Sequence, residues 1–436
     1  MDGEAARSRA TLLSSEDGWA VWFGFALFAV GLLGLVEGVP KPGAWSDNPL
    51  EGLPLRQGAG VAALFVGLAS MTAIGVRAMG RDALRYAAGL GVVFAMAFGA
   101  KLLGKQEGMN DLGLGYALWS LLFGLAVANT VGTPAWVLEG ARSEMFIKTG
   151  LVLLGAEILF HRIVALGGPG LVVAWAVTPA VVFFMWKLGS RVLKLESKAL
   201  TMVIACATSV CGVSAAIASA AAVRAKKEEL TLAVGMTMIF TVVMMIGMPA
   251  LAKVLGLSDA VAGAWIGGTV DSTGAVVAAG SLFSESAGHV AAVIKMIQNG
   301  LIGIIAFVIA AYWVSSVEPS GEAERPSPSE MWRRFPKFVV GFVAASLVFS
   351  FVLIPALGEP PVEGIVEDVT KPLRGWFFAL AFVAIGLESN FKQLSKHLVG
   401  GKPIALYAAG QTFNILLTLL VAYLAFGGIG GELFGF

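Results

Sequence analysis

Inside a long apolar chain, the stretch "GGTVDSTGAVVAAG" at residues 267–280 sets one aspartate, Asp271, among glycines and hydroxyl residues. Earlier, "ATSVCGVSAA" at 207–216 has the same make-up without the acid. Backbone that leaves the helix at membrane depth must have its polar groups satisfied by protein or by water. Glycine permits the sharp geometry, and Ser, Thr and Asp side chains can serve the freed groups. Half-helices broken in this way aim N–H groups and partial positive charge at whatever lies at the break, which favours an anion. The substrate-binding candidates are therefore Ser209, Cys211, Gly212, Ser214, Thr269, Ser272, Thr273 and Gly274. The competing reading makes each stretch an aqueous turn.

Asp271 itself has two readings. An ionisable group within a membrane is functional by default, and here it would carry a coupling H+ or Na+. Alternatively it only caps the helix that begins at Ser272. The first reading is preferred. Lys295 and Asn299 lie four apart on the following helix and share a face, with Gln298 beside them. A lysine two turns into an apolar helix either snorkels outward or faces the interior. The neighbouring amides argue for the interior, where Lys295 would neutralise Asp271 or hold an anion, with Asn299 at the same site. Asn129, with Thr130 at the end of "LLFGLAVANTVGTP", is a second ion-coupling candidate or a helix C-cap before Pro134.

Other polar residues point to structure. Glu157 and Glu388 follow glycines near helix ends and have basic neighbours, Arg162 and Lys392, which suggests structural ion pairs. Gln411 and Asn414 read as interhelical hydrogen-bond partners. His161, His289 and His397 do not cluster, so no metal site is expected. Cys206 and Cys211, five apart in one segment, suggest neither a disulfide framework nor a zinc site. No P-loop, HExxH or GxSxG occurs. Accordingly no catalytic residue or cofactor is assigned, and the chain is not read as an enzyme.

The elements that must position these residues follow from composition. Hydrophobic residues make up 57% of the chain and charged residues 14%, with a mean hydropathy of +0.82. Soluble domains average about 45–50% apolar and about 25% charged. A net charge of +1 offers no basic surface for nucleic acid. A span needs about 20 apolar residues. Eleven are expected, at 17–37, 58–77, 84–104, 112–131, 146–161, 168–189, 230–254, 288–315, 337–357, 374–390 and 403–427. Two further segments, 199–223 and 258–283, are apolar but broken in the middle. Residues 1–16 form a polar tail that runs into a retained helix rather than a cleaved signal.

Charge asymmetry orients the chain. The stretches 77–85, 187–198, 224–229 and 392–402 are basic, whereas "GEPPVEGIVEDV" at 358–369 is acidic. With a cytoplasmic N-terminus the basic stretches all fall inside and the acidic loop outside, provided 199–223 enters the membrane and returns. The same parity makes 258–283 re-enter from outside and leaves the charged loop 315–337 cytoplasmic. The alternative, full crossing of both segments, would put 224–229 outside. Internal similarity adds to this. Residues 231–247 align with 291–306, pairing Ala233 with Ala292 and Ile239 with Gln298, each after a broken segment with a central glycine, Gly212 or Gly274. Likewise 153–163 aligns with 384–394, pairing Glu157 with Glu388. Inverted repeats carrying interrupted helices are the plan of secondary transporters. The expected architecture is thus an all-α membrane protein: a 1–16 tail, N-terminal helices at 17–111, an inverted-repeat core at 112–427 and a tail at 428–436.

At "CGVSAAIASAAAVRAKKEELTLAVG", "GAWIGGTVDSTGAVVAAG" and "AAVIKMIQNGLIG" the chain resembles the YeiH family of bacterial inner-membrane proteins, regarded as sulfate exporters. The resemblance covers roughly residues 112–427, and "KTGLVLLGAE" is similar to the family's G-x-x-LLG helix. Asp271 stands where that family carries a histidine, "SAAAVRA" lacks its proline, and Gln298 stands near its arginine. The resemblance implies an alternating-access transporter, one bundle carrying the site against a dimeric scaffold, hence a homodimer.

The expected function is secondary active transport of a small anion, with sulfate, sulfite or an organic sulfonate as substrate and H+ or Na+ as coupling ion. The setting is the bacterial inner membrane, with the lipid bilayer as the surrounding partner. A cation/proton antiporter using Asp271 and Lys295 is the alternative. A membrane-embedded enzyme acting on a lipid would lack a nucleophile–base pair. A channel would need a sustained polar stripe on several helices.

Overall fold

Long apolar runs leave the backbone no hydrogen-bonding partner but itself, and the chain meets that constraint with helices. The structure, a computed structural model, describes residues 15–52, 55–111, 115–158, 160–317, 335–392 and 401–427. Most of the expected N-terminal tail, the C-terminal tail, most of the loop at 315–337 and the basic stretch at 393–400 lie outside the described residues.

In chain order the principal helices are α1 (Glu16–Leu32), α2 (Leu55–Ala78), α3 (Ala83–Leu103), α4 (Tyr116–Thr130) and α5 (Ser143–Leu154). Then come α6 (Ile163–Val192), α7 (Lys198–Cys206), α8 (Gly212–Ala222) and α9 (Lys227–Val254). They are followed by α10 (Asp259–Thr269), α11 (Thr273–Phe283), α12 (Glu285–Asn299) and α13 (Leu301–Tyr312). The last three are α14 (Lys337–Leu357), α15 (Glu359–Glu388) and α16 (Lys402–Phe426). Each of the eleven expected spans contains a helix, although the one at 17–37 ends at Leu32 and the one at 146–161 at Leu154. Among the described residues nine helical runs are long and apolar enough to cross a membrane, whereas α1, α4 and α5 have 17, 15 and 12 residues. The chain is an all-α, multi-pass membrane protein.

One expectation is corrected. The acidic stretch 358–369 is not a loop: it is helical from Glu359 and runs through a π-helical turn, Val366–Thr370, into the rest of α15. Pro360 and Pro361 sit in the first turn, where a missing N–H costs nothing, and Val362 and Val369, seven apart, are buried. The carboxylates occupy the remaining faces.

The described chain forms two compact units that are discontinuous in sequence and cut across the division drawn at 112. The first, Met1–Arg162 with Lys337–Asn390, holds α1 to α5, α14 and α15. There α15 packs on α4 and α5. Glu157 pairs with Arg374 at 2.7 Å, both nearly buried, and Ser143 donates to Glu388 at 2.8 Å. Arg374 and Ser143 stand 231 positions apart, as do Glu388 and Glu157, so the two contacts are one contact repeated.

The second unit, Ile163–Pro336 with Phe391–Phe436, holds α6 to α13 and α16. Lys198–Ala222 has the length and hydropathy of a span, yet it folds back on itself. Cys206, Val210, Ala215 and Ser219 line one cavity of about 10 Å3. A continuous helix would separate Cys206 from Ser219 by about 20 Å. The break falls at Cys211 (φ −148, ψ 92) and Gly212 (φ −10, ψ −83).

Residues 259–283 form a second hairpin, and contacts with α12 give its direction. A Cβ on Gly263 would lie 2.6 Å from Ala287 O, and one on Gly267 would lie 2.7 Å from Ala291 O, so α10 runs parallel to α12. Gly280 packs on Gly288 while Thr273 meets Asn299, so α11 runs back antiparallel. Between the hairpins α9 runs for 28 residues, about 42 Å at 1.5 Å per residue, which makes them enter from opposite ends.

Candidate functional site

Several helix starts carry side-chain caps, and those at the hairpin tips are not among them. Ser15, Asp82, Ser197, Ser258 and Ser284 each cap a helix with a side-chain oxygen. At the starts of α8 and α11 no side-chain cap is made by Cys211 or Ser272. These two starts carry the free N–H groups that such ends present.

The tips meet backbone to backbone. Gly212 N donates to Asp271 O at 2.5 Å, and a Cβ at Gly212 would press into the Thr237 side chain and lie 3.1 Å from Asp271 O. Only glycine allows that approach. Gly212 and Asp271 are 59 positions apart, the spacing that aligns Ala233 with Ala292, so Asp271 and not Gly274 is the counterpart of Gly212. Gln298 shows the same relation. Its amide nitrogen donates to Ser209 O and to Gly268 O, both at 3.1 Å, and these residues are again 59 apart. Related positions face each other across a shared donor, as a local two-fold relation requires.

The carbonyls released at the ends of α7 and α10 are served by side chains from α12 and α16. Lys295, 1% exposed, donates to Val210 O and, at 2.6 Å, to Gln298 Oε1. A cation there also suits the negative end of α7. Gln298 reaches Thr178 Oγ1 at 3.2 Å as a third acceptor. Asn414 donates to Thr208 O at 3.1 Å, and Gln411 to Thr269 O at 3.2 Å. Asn299 donates to Thr273 Oγ1 at 3.0 Å, and that oxygen is 3.7 Å from Cys211 Sγ. Tyr407 donates its hydroxyl to Asp271 Oδ2.

The structure therefore brings together Ser209, Cys211, Gly212, Thr269, Asp271, Thr273, Lys295 and Asn299. Gly274 is buried in the first turn of α11. Ser272 is half-buried and Ser214 exposed, so these two hydroxyls are the ones that reach the surface of the unit. Asn129 lies in the first unit at the end of α4, donating to Leu125 O and Ser389 O at 2.8 and 2.9 Å. Sequence reading missed Tyr407 and Thr178 and gave Gln298 too small a part. A signal existed: Tyr407, Gln411 and Asn414 fall at i, i+4 and i+7 on an otherwise apolar helix.

Fold and site together define a multi-pass α-helical membrane protein built around two opposed re-entrant hairpins. Residues 88–407 match the family described as conserved hypothetical protein 698. The chain is 49% identical to a UPF0324 membrane protein of Rhodopirellula baltica, over 88% of this chain and 71% of that one. It is 50% identical to a UPF0324 membrane protein of Nitratidesulfovibrio vulgaris, over 83% of this chain and 63% of that one. A UPF0324 membrane protein of Nitrosomonas europaea is 28% identical over 95% of this chain and 94% of its own length. The chain belongs to the UPF0324 family, in keeping with its resemblance to YeiH. It spans less than two thirds of the Nitratidesulfovibrio relative it matches at 50% identity. No solved structure matches it.

Proposed function

We propose that this protein is a secondary active transporter of a small anion, with sulfate, sulfite or an organic sulfonate as the substrate class. The observation that supports this is the meeting of two opposed hairpins, whose uncapped half-helix starts lie beside a buried carboxylate. Discontinuous helices of this kind bind anions at their positive ends in transporters built by alternating access. In this reading the N–H groups at the starts of α8 and α11 hold the anion, helped by Ser214 and Ser272. Lys295 supplies the favourable field, and Asp271 takes the coupling H+ or Na+. The protein works as a homodimer in the bacterial inner membrane with its N-terminus in the cytoplasm, where the basic stretches 187–198 and 224–229 also lie. Direction follows the gradients imposed, and the family resemblance favours export. Against an antiporter built on an Asp271–Lys295 pair, Lys295 directs its hydrogen bonds to Val210 O and Gln298.

Proteoliposomes test the proposal. Labelled sulfate or sulfite should move under an imposed pH or Na+ gradient, and Asp271→Asn should abolish that movement. The same variant should keep anion-induced thermal stabilisation, because an amide oxygen still accepts from Tyr407. Absence of anion flux under every gradient, with no stabilisation by any of the anions, would refute the transporter reading.

A further inference from the structure

A group of buried oxygens near the hairpin tips has no part in holding an anion. Thr237 and Thr241 lie one turn apart on α9, with Met244 a turn further on. Facing them on α16, Tyr407 and Gln411 are also one turn apart. The Phe240 ring stacks on Tyr407 at 4.5 Å, and the Gln411 nitrogen reaches Met244 Sδ at 2.7 Å. Thr241 falls between those two contacts in register. Thr237 stands beside the hydroxyl of Tyr407, which donates to Asp271. Gln411 also donates to Thr269 O. Thr237 and Gln411 thus flank Tyr407, which bonds the Asp271 carboxylate, with Thr241 between them in register and Thr269 two positions before Asp271. Thr241 Oγ1, Thr269 Oγ1 and Gln411 Oε1 have no hydrogen-bond partner, Thr237 has only the Tyr407 hydroxyl beside it, and the four residues are only 1–6% exposed.

Native proteins contain few such atoms, because an unpaired buried oxygen forfeits its hydration for nothing. Three such oxygens on residues packed around Tyr407 and Asp271, with the Thr237 hydroxyl beside them, point to a ligand. We propose that Asp271, Thr237, Thr241, Thr269 and Gln411 bind a monovalent metal cation of the Na+ class. The unpaired donors and the carboxylate are hard oxygens, which disfavours transition metals that select nitrogen or sulfur. One carboxylate balances one positive charge, whereas Mg2+ keeps several waters and Ca2+ takes six to eight oxygens.

The site also explains how a cation and an anion would be linked, and this part rests on the transporter reading above. With Asp271 neutralised by the metal, the charge of Lys295 is left uncompensated and draws an anion to the tips. The coupling is reciprocal, so the anion must tighten the cation by the same factor.

The experiment uses the full-length protein in detergent, titrated with NaCl against choline chloride at fixed ionic strength. A saturable rise in unfolding temperature specific to Na+ is expected, on the order of 5 °C at a hundredfold excess over Kd. Direct 22Na+ binding should show the same affinity. Thr269→Ala and Gln411→Ala should each weaken it by roughly tenfold, while Thr269→Ser retains it. No difference from choline, or Na+ stabilisation undiminished in Asp271→Asn, overturns the site. Sulfate added at saturation should tighten 22Na+ binding. Na+ binding that sulfate leaves unmoved upholds the site and counts against the transporter reading.

Discussion

Gln298 is the residue on which the hairpin tips depend most. Its one amide nitrogen serves Ser209 O, Gly268 O and Thr178 Oγ1, and its oxygen receives Lys295. Gln298→Leu keeps the volume and leaves two buried carbonyls without that donor. Ser209 O keeps the Thr178 hydroxyl as a donor at 3.2 Å, so one carbonyl, Gly268 O, is left short and a loss of about 1–3 kcal/mol is expected in denaturant unfolding in mixed micelles. A loss below about 0.5 kcal/mol would mean that water replaces the amide. In the first unit the Glu157–Arg374 pair sets a second test. Arg374→Ala removes one half of this nearly buried pair, so it should destabilise by about 1–3 kcal/mol. Adding Glu157→Gln should recover part of that loss, since an amide brings no charge that needs the guanidinium. No recovery would assign the loss to the packing of Arg374 over the Phe378 ring.

At the scale of elements, each hairpin is held together by what its tip lacks as much as by what it contains. Gly212 has no Cβ, and this lets α8 begin against Asp271 O and the Thr237 side chain. Gly212→Ala should therefore part the tips and cost roughly 1–3 kcal/mol as an overpacked contact. Thr237→Ala removes the methyl that the new Cβ meets, so the double variant should be more stable than Gly212→Ala alone. Simple additivity of the two substitutions would show that the contact with Thr237 is not what excludes a side chain there. The broken segments were legible as runs of Gly, Ser and Thr inside apolar sequence. Their folding back was legible only through charge parity, because Lys198–Ala222 is long and apolar enough to pass for a span.

At the scale of the molecule, the hairpins make a topological prediction. In a background with Cys206 and Cys211 replaced by serine, cysteines at Lys198 and Lys226 should react with an impermeant reagent from the same side of the membrane. A cysteine at Leu255, at the far end of α9, should react from the opposite side. Labelling of Lys198 and Lys226 from different sides would require α7 and α8 to cross as one helix.

Composition and period by themselves settled that this is an all-α membrane protein. They also settled where most of its helices lie, the helical stretch from Glu359 excepted, and which two segments break. Those properties are local: a run of apolar residues buries itself as a helix whatever surrounds it, and a cluster of glycines weakens a helix wherever it falls. The repeat spacings of 59 and 231 positions were also present in the sequence, and the structure turned the first into the contact of Gly212 with Asp271 and the second into the related contacts Glu157–Arg374 and Ser143–Glu388. Tertiary structure alone decided that Glu157 meets Arg374, that Glu388 meets Ser143, and that Tyr407 reaches Asp271. It alone divided the chain into two discontinuous units. A buried donor takes whichever acceptor packing brings within about 3 Å, and that distance is set by helices far apart in the chain.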